Sequence, residues 1–145
     1  MGTLQKSITI NMPADKLHNY MKNPTNWSHW YANLSEAEKI TGEGEAGTIV
    51  ESKYSVLGVS MPITTEVLES TVNVWRGKIS GAITSEQSFE LVPRENGTEI
   101  NMKSEYSIPS GVFGKVADKL VVEKIIEHSI DHTLENLKLI CESMK

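Results

Sequence analysis

The end of the chain sets the terms for everything before it. From about Ser110 to Lys145 the sequence reads as one helix, unbroken by Pro or Gly after Gly114. At 1.5 Å per residue, about 30 residues make a rod of about 45 Å, the span of a small domain. Apolar residues recur at Val121, Val122, Ile125, Ile126, Ile130, Leu134, Leu137, Ile140, Cys141 and Met144. These are mostly steps of three and four, so one side is meant for burial. Lys119, Glu123, Lys124, Glu127, Asp131, Glu135 and Lys138 interrupt the run, which excludes a membrane span. Nearly everything before residue 110 reads as strand, so the chain must wrap a sheet around one long helix.

The strands are legible by alternation. Residues 4–12 place Leu4, Ile8, Ile10 and Met12 on one face. Pro13 suits the first position of a helix, with Asp15 in its positive first turn. Leu17, Tyr20 and Met21 form its apolar stripe, and Asn23-Pro24 ends it. Asn26 to Tyr31 is a short turn or helix with three aromatics, Trp27, Trp30 and Tyr31, in a chain that is only 6% aromatic. Leu34 to Thr41 reads as a weak strand and 42–47 as a glycine-rich turn. Clean alternation follows over 48–56, 61–67, 73–81, 83–91 and 98–108. The Pro93 to Gly97 stretch closes a hairpin in which Asn96-Gly97 is expected to supply positive φ angles. Short turns between consecutive strands imply an antiparallel sheet. Its apolar face needs a cover, and only the last helix is large enough. The 145 residues suit one domain, 1–145, and no linker or repeat divides them.

At this point the order of motifs resembles the START-like superfamily (SRPBCC), and within it the polyketide cyclase/dehydrase-like group. The likeness rests on Ile10-Asn11-Met12-Pro13-Ala14-Asp15-Lys16-Leu17 and on Asn23-Pro24-Thr25-Asn26-Trp27-Ser28-His29-Trp30. Gly47-Thr48, Phe89-Glu90-Leu91-Val92-Pro93 and Gly97-Thr98 continue it across nearly the whole chain. Asn23 departs from the Asp usual before that proline, which weakens an expected local cap. The resemblance implies an α+β helix-grip fold: a seven-stranded antiparallel sheet curled around the C-terminal helix, with two short helices between strands 1 and 2. It also implies a cavity, in a family whose members bind or transform hydrophobic small molecules.

Charge and special residues narrow the partners. A net charge of −5 without a basic cluster argues against nucleic acid. The N-terminus lacks an apolar signal segment, so cytoplasmic residence is the expectation. The single cysteine, Cys141, lies on the apolar stripe and reads as a buried small hydrophobe. Gly42-x-Gly44-x-x-Gly47 has the letters of a dinucleotide fingerprint, but it leads into a strand and carries Glu43 and Glu45, which would repel phosphate. His128 and His132 have the i, i+4 spacing of metal ligands. Zinc helices place a carboxylate after the first histidine, where this chain has Ser129, and both rings fall opposite Ile126, Ile130 and Leu137. They read as solvent-facing, and neither a metal nor any cofactor is expected. Glu51, Glu66, Glu86, Glu90, Glu99 and Glu105 fall on outer strand faces, so no buried acid–base pair stands out.

The inner face carries Ser52, Thr65, Ser85, Gln87 and Ser104 among large apolar groups. In a plain core each unpaired polar group costs about 1–3 kcal/mol, so a cavity that admits water or a ligand is the better reading. Its expected lining is Trp30, Tyr54, Met61, Trp75, Gln87, Phe89, Met102, Tyr106, Val121 and Ile125. Ala117, Val121 and Ile125 form a second apolar side of the helix, for a cavity mouth or a dimer contact. Three functions compete. The leading one is binding of a hydrophobic small molecule or lipid, without stable membrane insertion, by a monomer or weak homodimer. The second is a cyclase or dehydratase in which Tyr54 or Tyr106 gives a proton and Gln87 holds an oxyanion. The third is a protein-interaction module similar to the Hsp90-activator branch of the superfamily. A buried ionisable pair would favour the enzyme, an apolar cavity the binder, and a filled core the module.

Overall fold

The structure is a computed structural model that describes residues 2–107 and 119–144. The expected start of the long helix near Ser110, with Ala117, and the inward face expected for Ile108 lie outside the described residues. The elements run β1 (Gly2–Ile10), α1 (Ala14–Lys22), a 3-10 turn (Pro24–Asn26), α2 (Trp27–Trp30), β2 (Lys39–Thr41), β3 (Ile49–Val56), β4 (Val59–Ser70), β5 (Val74–Gly81), β6 (Thr84–Arg94), β7 (Gly97–Ser107) and α3 (Lys119–Ser143). One seven-stranded sheet has the order β1-β7-β6-β5-β4-β3-β2, with every described pairing antiparallel. This is the helix-grip arrangement.

Local chemistry explains most boundaries. Pro13 sits just outside α1 rather than in its first turn, and Leu17 and Met21 are its buried residues. The Asn23 side chain accepts hydrogen bonds from the Thr25 amide at 3.1 Å and the Thr25 hydroxyl at 2.8 Å. The amide oxygen therefore caps the 3-10 turn, and the cap expected to be weak is present. Between β3 and β4, Leu57 (φ 53°) and Gly58 (φ 77°) form a two-residue turn with both φ positive, the geometry that suits a twisted hairpin.

Two expectations need correction. The stretch from Leu34 is not a strand until Lys39. Asn33 takes a left-handed φ of 67°, and before Lys39 the segment meets β3 through an isolated bridge, Leu34 opposite Tyr54, and scattered bonds that include the Ser35 amide to the Lys53 carbonyl at 2.8 Å and the Glu38 amide to the Glu51 carbonyl at 2.7 Å. In the β6–β7 hairpin only Gly97 has positive φ, at 144°; Asn96 does not. Gly97 is required for a second reason besides that φ, because a Cβ there would lie 2.2 Å from the Ile10 carbonyl oxygen. β1 runs that close to β7, and the Thr98 hydroxyl seals the junction by donating to the Met12 carbonyl at 2.7 Å.

The helix α3 buries Val122, Ile126, Ile130, Leu134, Leu137 and Cys141, a single stripe at steps of four and three. Val121, half exposed at 49%, and Met144, at 55%, are not part of it. Polar bonds align the helix with edge strand β1. Lys6 reaches Glu127 at 3.0 Å and Asp131 at 3.4 Å, and Lys138 donates to the Thr9 carbonyl at 2.6 Å. The hydrogen bond to Glu127 is the main reason the Lys6 amine titrates above its ordinary value. Among the described residues no helix is long and apolar enough to cross a membrane.

Leu137 is fully buried whereas His128 and His132 are exposed. Leu137→Ala is expected to cost about 2–5 kcal/mol of stability in urea unfolding. Replacing both histidines with Ala should change it by less than about 0.5 kcal/mol. Burial, with a smaller effect from Glu142, pushes the Cys141 thiol up to about 11. A disulfide reagent at mildly alkaline pH should leave it untouched in the folded protein and modify it rapidly in urea.

Candidate functional site: an aromatic-walled cavity

The cavity lies between the inner sheet face and α3 and has a volume of about 60 Å³. Edge-to-face contacts link its aromatic wall: Trp27 to Trp75 at 5.6 Å, Trp75 to Phe89 at 5.8 Å, and Phe89 to Trp30 at 5.9 Å between ring centroids. Tyr31 continues the row from Trp30 at 5.8 Å. Each such pair adds about 0.5–1.5 kcal/mol beyond burial. Trp27 is oriented by its own N–H, which donates to the Met21 carbonyl at 2.8 Å. Trp75 lies across Gly77, two residues on along β5. A Cβ on Gly77 would fall 2.4 Å from the indole ring.

Of the ten residues expected to line the cavity, six do so: Trp30, Tyr54, Trp75, Gln87, Phe89 and Tyr106. Four do not. Met102 pairs with Phe89 across β6 and β7 and is spent in the core at 1% exposure. Met61 packs in the cluster of Tyr54, Val56, Ile63 and Ile83. Val121 faces outward, and Ile125 is half-buried against that same cluster. The helix contributes Ile126 and Ile130 instead. Cavity and core thus share one stripe of α3, and the second apolar side is not the cavity side. Trp27, Tyr31, Leu34, Ile63, Ile79 and Ile83 also line the space. The dense aromatic run from Asn26 to Tyr31 was the available signal for the first two.

The polar groups are partly settled among themselves. The Ser85 and Ser104 hydroxyls lie 3.2 Å apart, and Gln87 Nε2 donates to the Tyr31 hydroxyl. The Tyr54 hydroxyl donates to Ser129 Oγ at 3.0 Å. Among the described residues, Ser52 Oγ and the indole nitrogens of Trp30 and Trp75 are buried without a partner. Among the described residues, the titratable groups on the wall are three tyrosines, each pushed above its ordinary value, first by burial. Tyr54 adds to the effect at Tyr31, and Glu123 and Glu127 add to it at Tyr106, while the bond to Ser129 offsets part of it at Tyr54. Such phenols stay protonated and are weak acids near neutral pH.

An open depression of about 640 Å³ lies outside the cavity, lined by His29, His128, His132, Asn136 and their neighbours. Tyr31 lines both spaces. The described residues hold no cluster of three His, Cys, Asp or Glu side chains placed for a metal. In the glycine loop, the Glu45 carboxylate accepts the Glu43 amide at 3.0 Å, and the Thr48 hydroxyl accepts the Gly44 amide at 3.0 Å. Amides that a phosphate would need are thus already taken.

Gly77→Ala should force the Trp75 ring off its seat. The expected loss is about 1–3 kcal/mol of stability, as for overpacking, with an altered near-ultraviolet circular dichroism band from the indole. An unchanged band would show that the ring does not rest on Gly77.

Comparison with known proteins fits this geometry. Solved structures similar to the chain include the Zhui aromatase/cyclase from Streptomyces sp. R1128, at 14% identity and a TM-score of 0.82, covering 97% of this chain and 93% of that one. A START superfamily protein from Mycobacterium smegmatis is 13% identical, with a TM-score of 0.79 and 99% of each chain covered. The di-domain ARO/CYC protein StfQ of the steffimycin pathway is 8% identical with a TM-score of 0.79, covering 98% of this chain but 51% of its own. These likenesses show the fold and leave the chemistry to the site. No curated protein matches the chain in sequence. The family model described as polyketide cyclase / dehydrase and lipid transport matches residues 1–142, and the chain therefore belongs to that START-like family.

Proposed function

We propose that this protein binds a hydrophobic small molecule or the apolar part of a lipid between its sheet and α3, and performs no chemistry on it. The observation that carries this reading is the character of the wall. Among the described residues it holds aromatic and aliphatic side chains, hydroxyls and one amide, with no carboxylate, amine or imidazole. General acid–base chemistry needs a group that titrates near the working pH, and the three tyrosines are displaced away from it. The rival cyclase reading is weakened further, because the Tyr54 proton is directed at Ser129 and the Gln87 amide is engaged by Tyr31.

The closed volume of about 60 Å³ is below the roughly 300–1,000 Å³ of ligand pockets. Uptake therefore requires the wall to open. Tyr31 is the natural place, since it lines both the cavity and the outer depression.

Native mass spectrometry of protein purified from its own host should show a bound apolar compound. A neutral hydrophobic fluorophore should quench tryptophan emission saturably, and Tyr31→Ala should speed its uptake. If no apolar ligand of any size is taken up, and Trp75→Ala costs the full roughly 3–5 kcal/mol of a core deletion, the binding proposal fails.

A further inference from the structure

We infer that the ligand of this cavity is a neutral molecule carrying a carbonyl-type oxygen, which accepts hydrogen bonds from the indole N–H groups of Trp30 and Trp75. This rests on the binding function proposed above. Both tryptophans line the cavity, are only 4% and 7% exposed, and present buried N–H groups with no acceptor among the described residues. Buried Trp N–H groups ordinarily find a partner, as Trp27 does in the Met21 carbonyl. The two unpaired ones flank Phe89, whose ring centroid lies 5.9 Å from Trp30 and 5.8 Å from Trp75.

The demand is for an acceptor specifically. An indole N–H is a donor only. Gln87 can adapt, offering either end of its amide, but the tryptophans cannot. A pure hydrocarbon in the cavity would leave both donors unsatisfied. An ionised carboxylate would supply acceptors yet bring a charge into a wall that, among the described residues, has no Lys, Arg or His to pair with it, and burying such a charge is heavily penalised. A ketone, quinone, ester or amide oxygen meets both conditions.

Three probes of similar shape separate the cases: acetophenone, α-methylstyrene with a methylene in place of the oxygen, and benzoate. The three tryptophans give three indole N–H cross-peaks in ¹⁵N-labelled protein, assignable from single Trp→Phe variants. Acetophenone should move the Trp30 and Trp75 peaks downfield, leave that of Trp27 nearly in place, and bind at least about tenfold more tightly than α-methylstyrene, as one or two hydrogen bonds would give. Benzoate should bind more weakly than acetophenone. Equal binding of acetophenone and α-methylstyrene, with the same peak shifts, would overturn the acceptor requirement while leaving the binding function standing. Tighter binding of benzoate would overturn the neutral class. If none of the probes moves any indole peak at millimolar concentration while the hydrophobic fluorophore still quenches tryptophan emission, this inference falls alone; if the fluorophore and apolar ligands of every size fail as well, the binding function falls with it.

Discussion

The contact on which the structure depends is the stripe from Val122 to Cys141 laid along the concave side of the sheet. Each large apolar side chain buried there contributes about 1.5–3 kcal/mol. α1 and α2 cover part of the same face through Leu17, Met21, Trp27 and Trp30, and α3 covers it along the length of the stripe. Three small polar residues of the same helix then tie down the segment after α2. Thr133 Oγ1 accepts the Ala32 amide at 2.9 Å, Ser129 Oγ accepts from Asn33 at 3.3 Å, and Asn136 donates to the Trp30 carbonyl at 3.4 Å. The helix therefore positions Trp30 and Tyr31 as well as burying the core, and the cavity wall is a consequence of its docking.

The cavity itself is a matter of side-chain size. Trp75, Phe89 and Tyr106 stand on the inner sheet face beside Gly77, Ser85 and Ser104. Large rings next to small residues leave space that close packing would otherwise remove. Beside Phe89 the sheet face is filled, with its cross-strand partner Met102 and the next inward residue, Ile100, buried in the core. The same geometry strands the indole N–H groups of Trp30 and Trp75, a penalty of about 1–3 kcal/mol for each buried donor left unmade. A core built for stability alone has no use for such groups, and they are the ground of the ligand inferred above.

The strands were legible in the sequence because a period of two is imposed by the pleat and survives any tertiary arrangement. Ile83, Ser85, Gln87, Phe89 and Leu91 are all buried, and Glu86 and Glu90 between them are exposed. Where the pattern failed, local geometry had intervened. Asn33 in a left-handed conformation delayed β2, and the approach of β1 adds to the positive φ in requiring Gly97.

Composition and periodicity by themselves determined the order of elements, the antiparallel sheet, the inward faces and the helix that covers them. Those are properties of nearest neighbours along the chain and of solubility. Only the tertiary structure decided which inward residues border the cavity and which are spent in the core. Phe89 and Met102 are both inward and directly paired, yet only one borders the space. Ile126 and Ile130 line it while Val121 faces outward, because the rotation of α3 about its axis is set by contacts with β1, the segment after α2 and the sheet together. A sequence pattern defines a stripe on a helix, but where that stripe meets a gap depends on the sizes of side chains brought from six other elements.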